Sequence, residues 1–304
     1  MPRYRNLDGT TPDKGLVDVL RWRLGRRGLP DDRDYVPPRR DNDGQPLRLP
    51  GAHLTWIGHA TFALRLGGKL ILTDPIWSAR IQGIVRRRSP PGVALEAMPP
   101  VDVVTISHAH HDHLDMPTLR RLGPAPLYLV PRDVGGLLRA AGLPRVVELG
   151  WWDTYREGEL AITLVPAQHW SMRSPWDRNR RLWGGFVYAG PEGVAYHAGD
   201  TALSEPMFMA IRRRVPQVDW AMLPIGAYEP GWFMRPQHMA PEDAVRAFEI
   251  LEARVFVAMH WGTYKLTDEH LGEPPERLRA CWAARGLRPE QLAILDVGET
   301  RPLG

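Results

Sequence analysis

The sequence predicts a layered α/β fold, and three observations carry that reading. Short β-branched runs recur from residue 53 to residue 259, helical segments lie between them, and no tandem repeat is present. With 304 residues and 43% hydrophobic content, the chain can bury a substantial core, which excludes wholesale disorder. No Pro/Gly-rich linker follows residue 50. Residues 51–304 therefore read as one domain, and residues 1–50 as a basic helix and extended arm packing on it.

The elements follow in order. Leu16–Arg27 (LVDVLRWRLGRR) reads as a short helix with Val17, Leu20 and Leu24 on one side and Arg21, Arg23, Arg26 and Arg27 elsewhere. Docking on the protein itself is the expectation for it. Leu29–Pro50, rich in Pro, Asp and Arg, reads as an arm. Strands are expected at His53–Ile57 and Thr61–Leu66, flanking a turn at Gly58-His59-Ala60, and at Leu70–Thr73 before the Asp74-Pro75 turn. Val101–Ser107 is a β-branched run, and a helix follows from about Met116 with Asp115 as N-cap. Leu127–Val130, Ala161–Pro166, Trp183–Ala189 and Gly193–His197 continue the strands, the last two as a hairpin. Val218–Ile225 and Arg254–Met259 are further strands, separated by a helix over Pro241–Ala253.

Composition narrows the chemistry. A formal charge of +4 over 304 residues is a weak field, too weak for a dedicated nucleic-acid binder. Only Lys14, Lys69 and Lys265 are lysines, so the positive charge is almost all arginine, the better bidentate partner for phosphate and carboxylate. No apolar run is long enough to span a bilayer and no secretory signal is visible, so a soluble, cytoplasmic chain is expected. One cysteine, Cys281, excludes a disulfide framework and a cysteine-rich zinc site. Eleven histidines remain: any metal must be held by imidazole and carboxylate.

The segment Ser107–Asp115, SHAHHDHLD, decides the matter. His108 and His110 lie two apart after a strand, so both side chains emerge on one side if the chain stays extended. Asp112 and His113 follow as it turns, and His111 should point away. Other strand ends supply more donors: His169 in PAQHW, Asp200 in HAGDT and His260 in MHWGT. Open α/β architectures keep their sites at such ends. Read together, His108, His110 and His169 serve one zinc, Asp112, His113 and His260 a second, and Asp200 bridges. Each metal keeps room for water, as catalytic zinc requires.

These residues resemble the metallo-β-lactamase superfamily and, within it, the N-acyl phosphatidylethanolamine-hydrolysing phospholipase D family. The matching stretches are TWIGHATF, LTDPIWS, ISHAHHDHLD, PAQHW, AGDT, LPIGAYEPGWFM, QHMAPEDAV and MHWGTYKLTDEH, from about Leu54 to His270. Ala109 and His111 stand where animal members usually carry Asn and Tyr. The resemblance implies a four-layer αββα sandwich, two mixed sheets flanked by helices, with the dinuclear site at one edge. It implies the same seven ligands and two zinc ions per chain. The implied reaction is attack of a metal-bridging hydroxide on the phosphodiester of N-acyl phosphatidylethanolamine or a related phospholipid, giving phosphatidic acid and N-acylethanolamine.

Roles beyond the ligands are expectations of the same kind. Asp112 or Asp200 orients the nucleophile, and His238 in QHM serves as acid for the leaving alkoxide. Asp74 and His59 support the ligands, with Gln168, Tyr228 and Gln237 as further supporting or substrate-contacting residues. His197 reads as core. Tyr228, Trp232, Phe233 and Met234 read as an exposed loop offering aromatics to a bilayer or acyl chain, with Arg235 beside it. A phospholipid or other small phosphodiester is the expected partner, nucleic acid is not, and a homodimer and a peripheral membrane contact are admissible. A lactone or amide hydrolase with the same metals is the alternative.

Overall fold

The computed structural model describes residues 3–12, 14–25 and 29–303, with the backbone alone at Leu16. Its chain opens on α1 (Leu16–Gly25), followed by β1 (His53–Gly58), β2 (Thr61–Leu66) and β3 (Lys69–Thr73). A small ribbon, β4 (Arg80–Ile81) and β5 (Val85–Arg86), precedes β6 (Val103–Thr105), α2 (Met116–Leu122), β7 (Leu127–Pro131), α3 (Gly135–Ala140) and β8 (Val146–Leu149). The second half comprises β9 (Thr154–Glu157), β10 (Leu160–Val165), β11 (Gly185–Gly190), β12 (Gly193–His197), α4 (Glu205–Arg214) and β13 (Trp220–Pro224). It closes with α5 (Gly231–Met234), α6 (Pro241–Leu251), β14 (Val255–Met259), α7 (Glu273–Ala284), β15 (Leu292–Ala293) and β16 (Thr300–Pro302).

Two seven-stranded sheets result, ordered β16-β1-β2-β3-β6-β7-β8 and β15-β14-β13-β12-β11-β10-β9. Each is built the same way. An antiparallel half, with β1 on β2 on β3 or β9 on β10 on β11 on β12, passes into a parallel half that needs helical crossovers. Side chains alternate between two cores. Phe62, Leu64, Ile71 and Leu129 face the opposite sheet, whereas Ala63, Leu70, Leu72, Tyr128 and Val130 face α2 and α3 with Leu119 and Leu138. Phe248 on α6 and Trp282 on α7 stack over Phe256 of β14, covering the second sheet. This is the expected layering of two mixed sheets between helices.

Several boundaries differ from the sequence pattern. The run Val101–Ser107 keeps only Val103–Thr105 as ladder, because Asp102 turns its carboxylate onto the Leu70 N–H at 2.8 Å and Ser107 is taken by Asp74. Helices α4 and α7 and strands β8, β9 and β16 are additional to the pattern. Asp115 stands at the N-cap of α2, but its carboxylate accepts from the hydroxyls of Thr118 and Ser78 and makes no bond to a backbone amide there. Helix α1 is seen to Gly25, and Arg26 and Arg27, which the pattern adds to it, lie outside the described residues. Its apolar stripe does not dock: Val17 and Leu24 are each 78% exposed and Leu20 is 50% exposed. Trp22 docks instead, stacked on Phe233 at 5.1 Å and donating to Asp268 at 2.6 Å. The arm lies against the core, with Arg40 N–H on Val297 O, Val297 N–H on Pro38 O and Asp32 paired with Lys265.

The edge that gathers the histidines is braced from beneath by a buried guanidinium. Arg87 is 7% exposed and donates to the carbonyls of Ile57, Ile76 and Ser89 and to the Tyr264 hydroxyl, at 2.9–3.1 Å. Gly58 beside it has φ 120°, and a Cβ there would stand 2.6 Å from the Arg87 Nη2 atom. A lysine cannot satisfy four acceptors in this fork geometry. Arg87→Lys is therefore expected to lower the unfolding free energy by about 2 kcal/mol and Arg87→Ala by about 4 kcal/mol. Urea denaturation checks this, and a lysine variant as stable as wild type would refute the bracing role.

Candidate metal centre

Loops at one edge of both sheets bring the donors together. The Ser107–Asp115 loop follows β6, Asp74 follows β3, His59 occupies the β1–β2 turn, His169 follows β10, Asp200 follows β12 and His260 follows β14. His59, Asp74 and His260 have positive φ, at 56°, 38° and 62°. Strained backbone of this kind persists only where the surroundings over-determine it. His59 illustrates how: its N–H donates to Thr263 Oγ1 at 2.7 Å, and its carbonyl accepts from the Trp56 indole at 2.9 Å and the His260 N–H at 3.0 Å.

Three of the rings are fixed by their outer nitrogen. Asp74 accepts from Ser107 N–H at 2.6 Å, Ser107 Oγ at 2.7 Å and His113 Nδ1 at 2.7 Å. His113 keeps a proton on Nδ1, so in its neutral form Nε2 is the lone pair. His169 Nδ1 donates to the Gln237 carbonyl at 2.8 Å, and His108 Nδ1 faces Ser107 Oγ at 2.9 Å, whose own proton goes to Asp74. The Nε2 atoms of His108 and His169 are thus acceptors, and both face His110 Nδ1, at 2.8 and 3.3 Å. A proton on His110 Nδ1 can answer only one of these two acceptors well, whereas a cation between the three nitrogens would answer them all.

The second group is Asp112, His113 and His260, with His59 joining it. Asp112 Oδ2 lies 3.1 Å from His59 Nε2, 3.5 Å from His113 Nε2 and 3.8 Å from His260 Nε2. Asp200 stands between the groups. Its Oδ2 is 3.2 Å from His113 and 3.9 Å from both His108 and His169, and its Oδ1 is 3.1 Å from His260. Within each group the donor atoms lie within 4.8 Å of one another. His113 Nε2, Asp200 Oδ1 and both ring nitrogens of His260 are buried without hydrogen-bond partners. Oriented imidazole nitrogens, buried carboxylates and unanswered lone pairs fit a divalent metal site.

Charge distribution says the same. Burial keeps His108 far below the usual imidazole value, His110 near about 4 and His169 near about 3, so these rings are neutral. Burial also opposes charge on His113 and His260, but Asp200 and Asp112 outweigh it. His113 rises well above its usual value and His260 to about 9. Asp112 and Asp200, despite burial, are held well below the carboxylate range chiefly by His113.

The remaining expected residues divide. His238 joins the cluster, with Nδ1 4.0 Å from Asp200 Oδ2 and its ring 5.1 Å from that of His169. His111 points away, its Nε2 3.3 Å from the Arg173 carbonyl. His197 is core, bonded to the Ala60 carbonyl at 2.9 Å. Gln237 acts on His169 through its main chain, not its side chain. Gln168 turns its amide away from the donors onto Asp8 and Thr10, at 3.0 and 3.1 Å. Tyr228 is 2% exposed, with its hydroxyl on Glu273 and Arg277 over its ring, so it packs against α7 and does not line an open loop. Phe233 and Met234 are buried too, leaving only Trp232 exposed among those four, at 43%. The GAYEPGWFM run is apolar enough to be covered, and α1 covers it. Ser107 escaped the sequence reading, although it immediately precedes the first histidine of the motif.

Fold and site together define a metal-dependent hydrolase built on two sheets. A family model described as the β-lactamase superfamily domain matches residues 69–261, and the chain belongs to that superfamily. Among its relatives, an N-acyl-phosphatidylethanolamine-hydrolyzing phospholipase D of Caenorhabditis elegans is 35% identical over 267 residues, covering 82% of this chain and 75% of that one. An uncharacterized protein of Mycobacterium tuberculosis is 42% identical over 304 residues, covering 92% and 79%. A metallo hydrolase of the archaeon Ignicoccus hospitalis has the same fold, with a TM-score of 0.63 at 24% identity over 82% of this chain and 97% of that one.

A ligand imidazole is neutral, so a metal must displace the protons that His113 and His260 hold when no cation is bound. At pH 7, below the value of about 9 for His260, loading metal-free protein should release about two protons per chain. Metal affinity then falls as pH falls. Calorimetry in buffers of different ionisation enthalpy measures the release, and Asp200→Asn should reduce it. Binding heats independent of the buffer would show that both rings are already neutral.

Proposed function

We propose that this hydrolase is a phosphodiesterase of phospholipase D type. It would cleave N-acyl phosphatidylethanolamine, or a related phospholipid, to phosphatidic acid and an N-acylethanolamine. The supporting observation is two donor groups meeting at one carboxylate, Asp200, in a chain 35% identical to a relative named for that activity. His108, His110 and His169 would hold one divalent cation, Asp112, His113 and His260 a second, with Asp200 facing both. Zinc is what such ligands select by default. A bound pair of cations supplies an acidified water and polarises the phosphoryl oxygens.

The chain's own residues handle geometry and protons. His59 holds Asp112, and Asp74 holds His113, so the donors stay in place as the phosphodiester enters. Burial lowers His238 to about 3, so its ring enters the reaction neutral, with Nδ1 free of hydrogen bonds. Nδ1 can accept a proton from the attacking water and return it to the departing alkoxide oxygen. Phosphorus gains one oxygen and loses another, and the N-acylethanolamine leaves protonated.

We also propose that α1 and Trp232 rest on an anionic lipid surface. No helix among the described residues is long and apolar enough to cross a membrane. The exposed Val17, Leu20 and Leu24 adjoin Trp232, whose ring has Lys14 Nζ at 5.3 Å and the Arg21 guanidinium at 5.0 Å. Apolar and aromatic groups flanked by basic ones suit the headgroup region. Binding to phosphatidylserine vesicles should exceed binding to phosphatidylcholine vesicles, and the double variant Val17→Asp, Leu24→Asp should lose about tenfold in partitioning. Equal binding to both vesicles would count against this.

The catalytic test is incubation of the metal-loaded protein with N-acyl phosphatidylethanolamine, followed by detection of phosphatidic acid. Asp200→Asn should abolish turnover, and His238→Ala should lower kcat by about 10²–10³-fold with metal content unchanged. No phosphatidic acid, together with turnover of a small lactone or amide, would replace the lipid reading with the alternative bond.

A further inference from the structure

The stretch carrying His169 leaves its sheet at Val165 and runs through Pro166, Ala167 and Gln168 outside any strand. Its backbone groups must find partners elsewhere, because His169 is only 1% exposed. Gln168 N–H donates to Thr201 Oγ1 at 2.9 Å, and its carbonyl accepts from Ala202 N–H at 2.9 Å. The His169 N–H is answered from the N-terminal segment, donating to Asn6 Oδ1 at 3.1 Å. The same oxygen accepts the Trp183 indole N–H at 3.1 Å. Asn6 is itself 4% exposed.

The segment around Asn6 is closed on itself and tied down at both ends. Asn6 N–H donates to Thr10 O at 2.9 Å, Gly9 N–H to Asn6 O at 2.8 Å, and Thr10 gives its N–H and hydroxyl to Asp8 Oδ1 at 2.9 and 2.6 Å. Gln168, the neighbour of His169, clips this loop through Asp8 and Thr10. Tyr4 anchors the other side, with its N–H on Asn179 O at 2.8 Å and its hydroxyl on Asp133 at 2.6 Å.

We infer that residues 4–10 are a strap that sets the position of the metal ligand His169, with Asn6 as its positioning residue. The inference rests on the reading of His169 as a ligand. The strap lies outside residues 69–261, the region that the superfamily domain matches. Two constraints act on His169: the Gln237 carbonyl orients its ring, and Asn6 holds its main chain. Without the Asn6 oxygen, the buried His169 N–H loses its acceptor, whereas the Trp183 indole keeps the Ala167 carbonyl at 3.0 Å, and the His169 stretch is free to draw away from His108 and His110. Asp112, His113 and His260 do not touch the strap. Asn6 Nδ2 has no hydrogen-bond partner among the described residues, so aspartate keeps every bond seen for the side chain.

Full-length wild type, Asn6→Ala and Asn6→Asp are each loaded with zinc and titrated with a chromophoric chelator, and the visible spectra of the cobalt-substituted forms are compared. Wild type should hold two equivalents. Asn6→Ala should surrender one of them at roughly 10–100-fold lower chelator concentration and keep the other as wild type does. Asn6→Asp should match wild type within about threefold, with the same cobalt spectrum. A role confined to stability would weaken both equivalents alike or neither, and either result overturns the inference, as does an aspartate variant that behaves like alanine. Wild-type protein that takes up no metal overturns the reading of the centre itself, and the strap with it.

Discussion

Like charges and lone pairs converge at one sheet edge, and that convergence governs the structure around it. The buried Asp200 and the half-buried Asp112 lie among the imidazoles of His108, His113, His169 and His260, and the inner nitrogens of His108 and His169 are acceptors. Such a cluster survives only with positive charge inside it, and the charge has two sources: protons on His113 and His260, or bound cations. Metal-free protein must use the first. Exchange of one for the other couples metal affinity to pH without any further device.

The fold absorbs the cost of holding these groups so close through outer bonds. His108 leans on Ser107, His113 on Asp74, His169 on the Gln237 carbonyl, and Asp112 on His59. These supports arrive from the ends of β1, β3 and β6 and from the chain leaving α5, beyond β13 of the second sheet, so both sheets must be registered against each other before the site is complete. The interleaved core of Phe62, Leu64, Phe186 and Tyr188 between the sheets provides that registration. One link is direct: the Tyr188 hydroxyl meets Thr105 at 2.6 Å, joining the second sheet to the strand that leads into the histidine motif.

Much of this was legible in the sequence, for a physical reason. Ligands at strand ends are local: a β-branched run followed by His, Asp or Gly announces both the strand and the donor, as in ISHAHHDHLD and VFVAMH. The two-core sandwich was legible in outline from the same runs, because strands buried on both faces are apolar at nearly every position. What escaped depends on distant pairing. Nothing local marks Asn6 as the acceptor for His169, 163 residues away. Tyr228 and Phe233 read as exposed because their cover is distant in sequence: α7 for Tyr228, and for Phe233 Trp22, from a helix whose own apolar stripe suggested a different docking face. Helices α4 and α7 escaped because each carries proline in its first turn, which signals a turn as readily as a helix start, and sets arginines beside its apolar positions.

Histidine and carboxylate donors of this kind can activate water against different bonds, so selectivity must come from what surrounds them. Here the surroundings are drawn from both ends of the N-terminal segment. The strap reaches the backbone of His169 through Asn6. Helix α1, a few residues further on, stacks Trp22 on Phe233 of α5, and the chain leaving α5 supplies first the Gln237 carbonyl to the His169 ring and then His238. One continuous stretch of about twenty residues therefore braces the same ligand from its main chain and from its ring. Displacing that stretch would disturb His169 and His238 together while leaving the Asp112, His113 and His260 group in its own frame. The His108, His110 and His169 group is thus the one this chain has tied to its N-terminal segment.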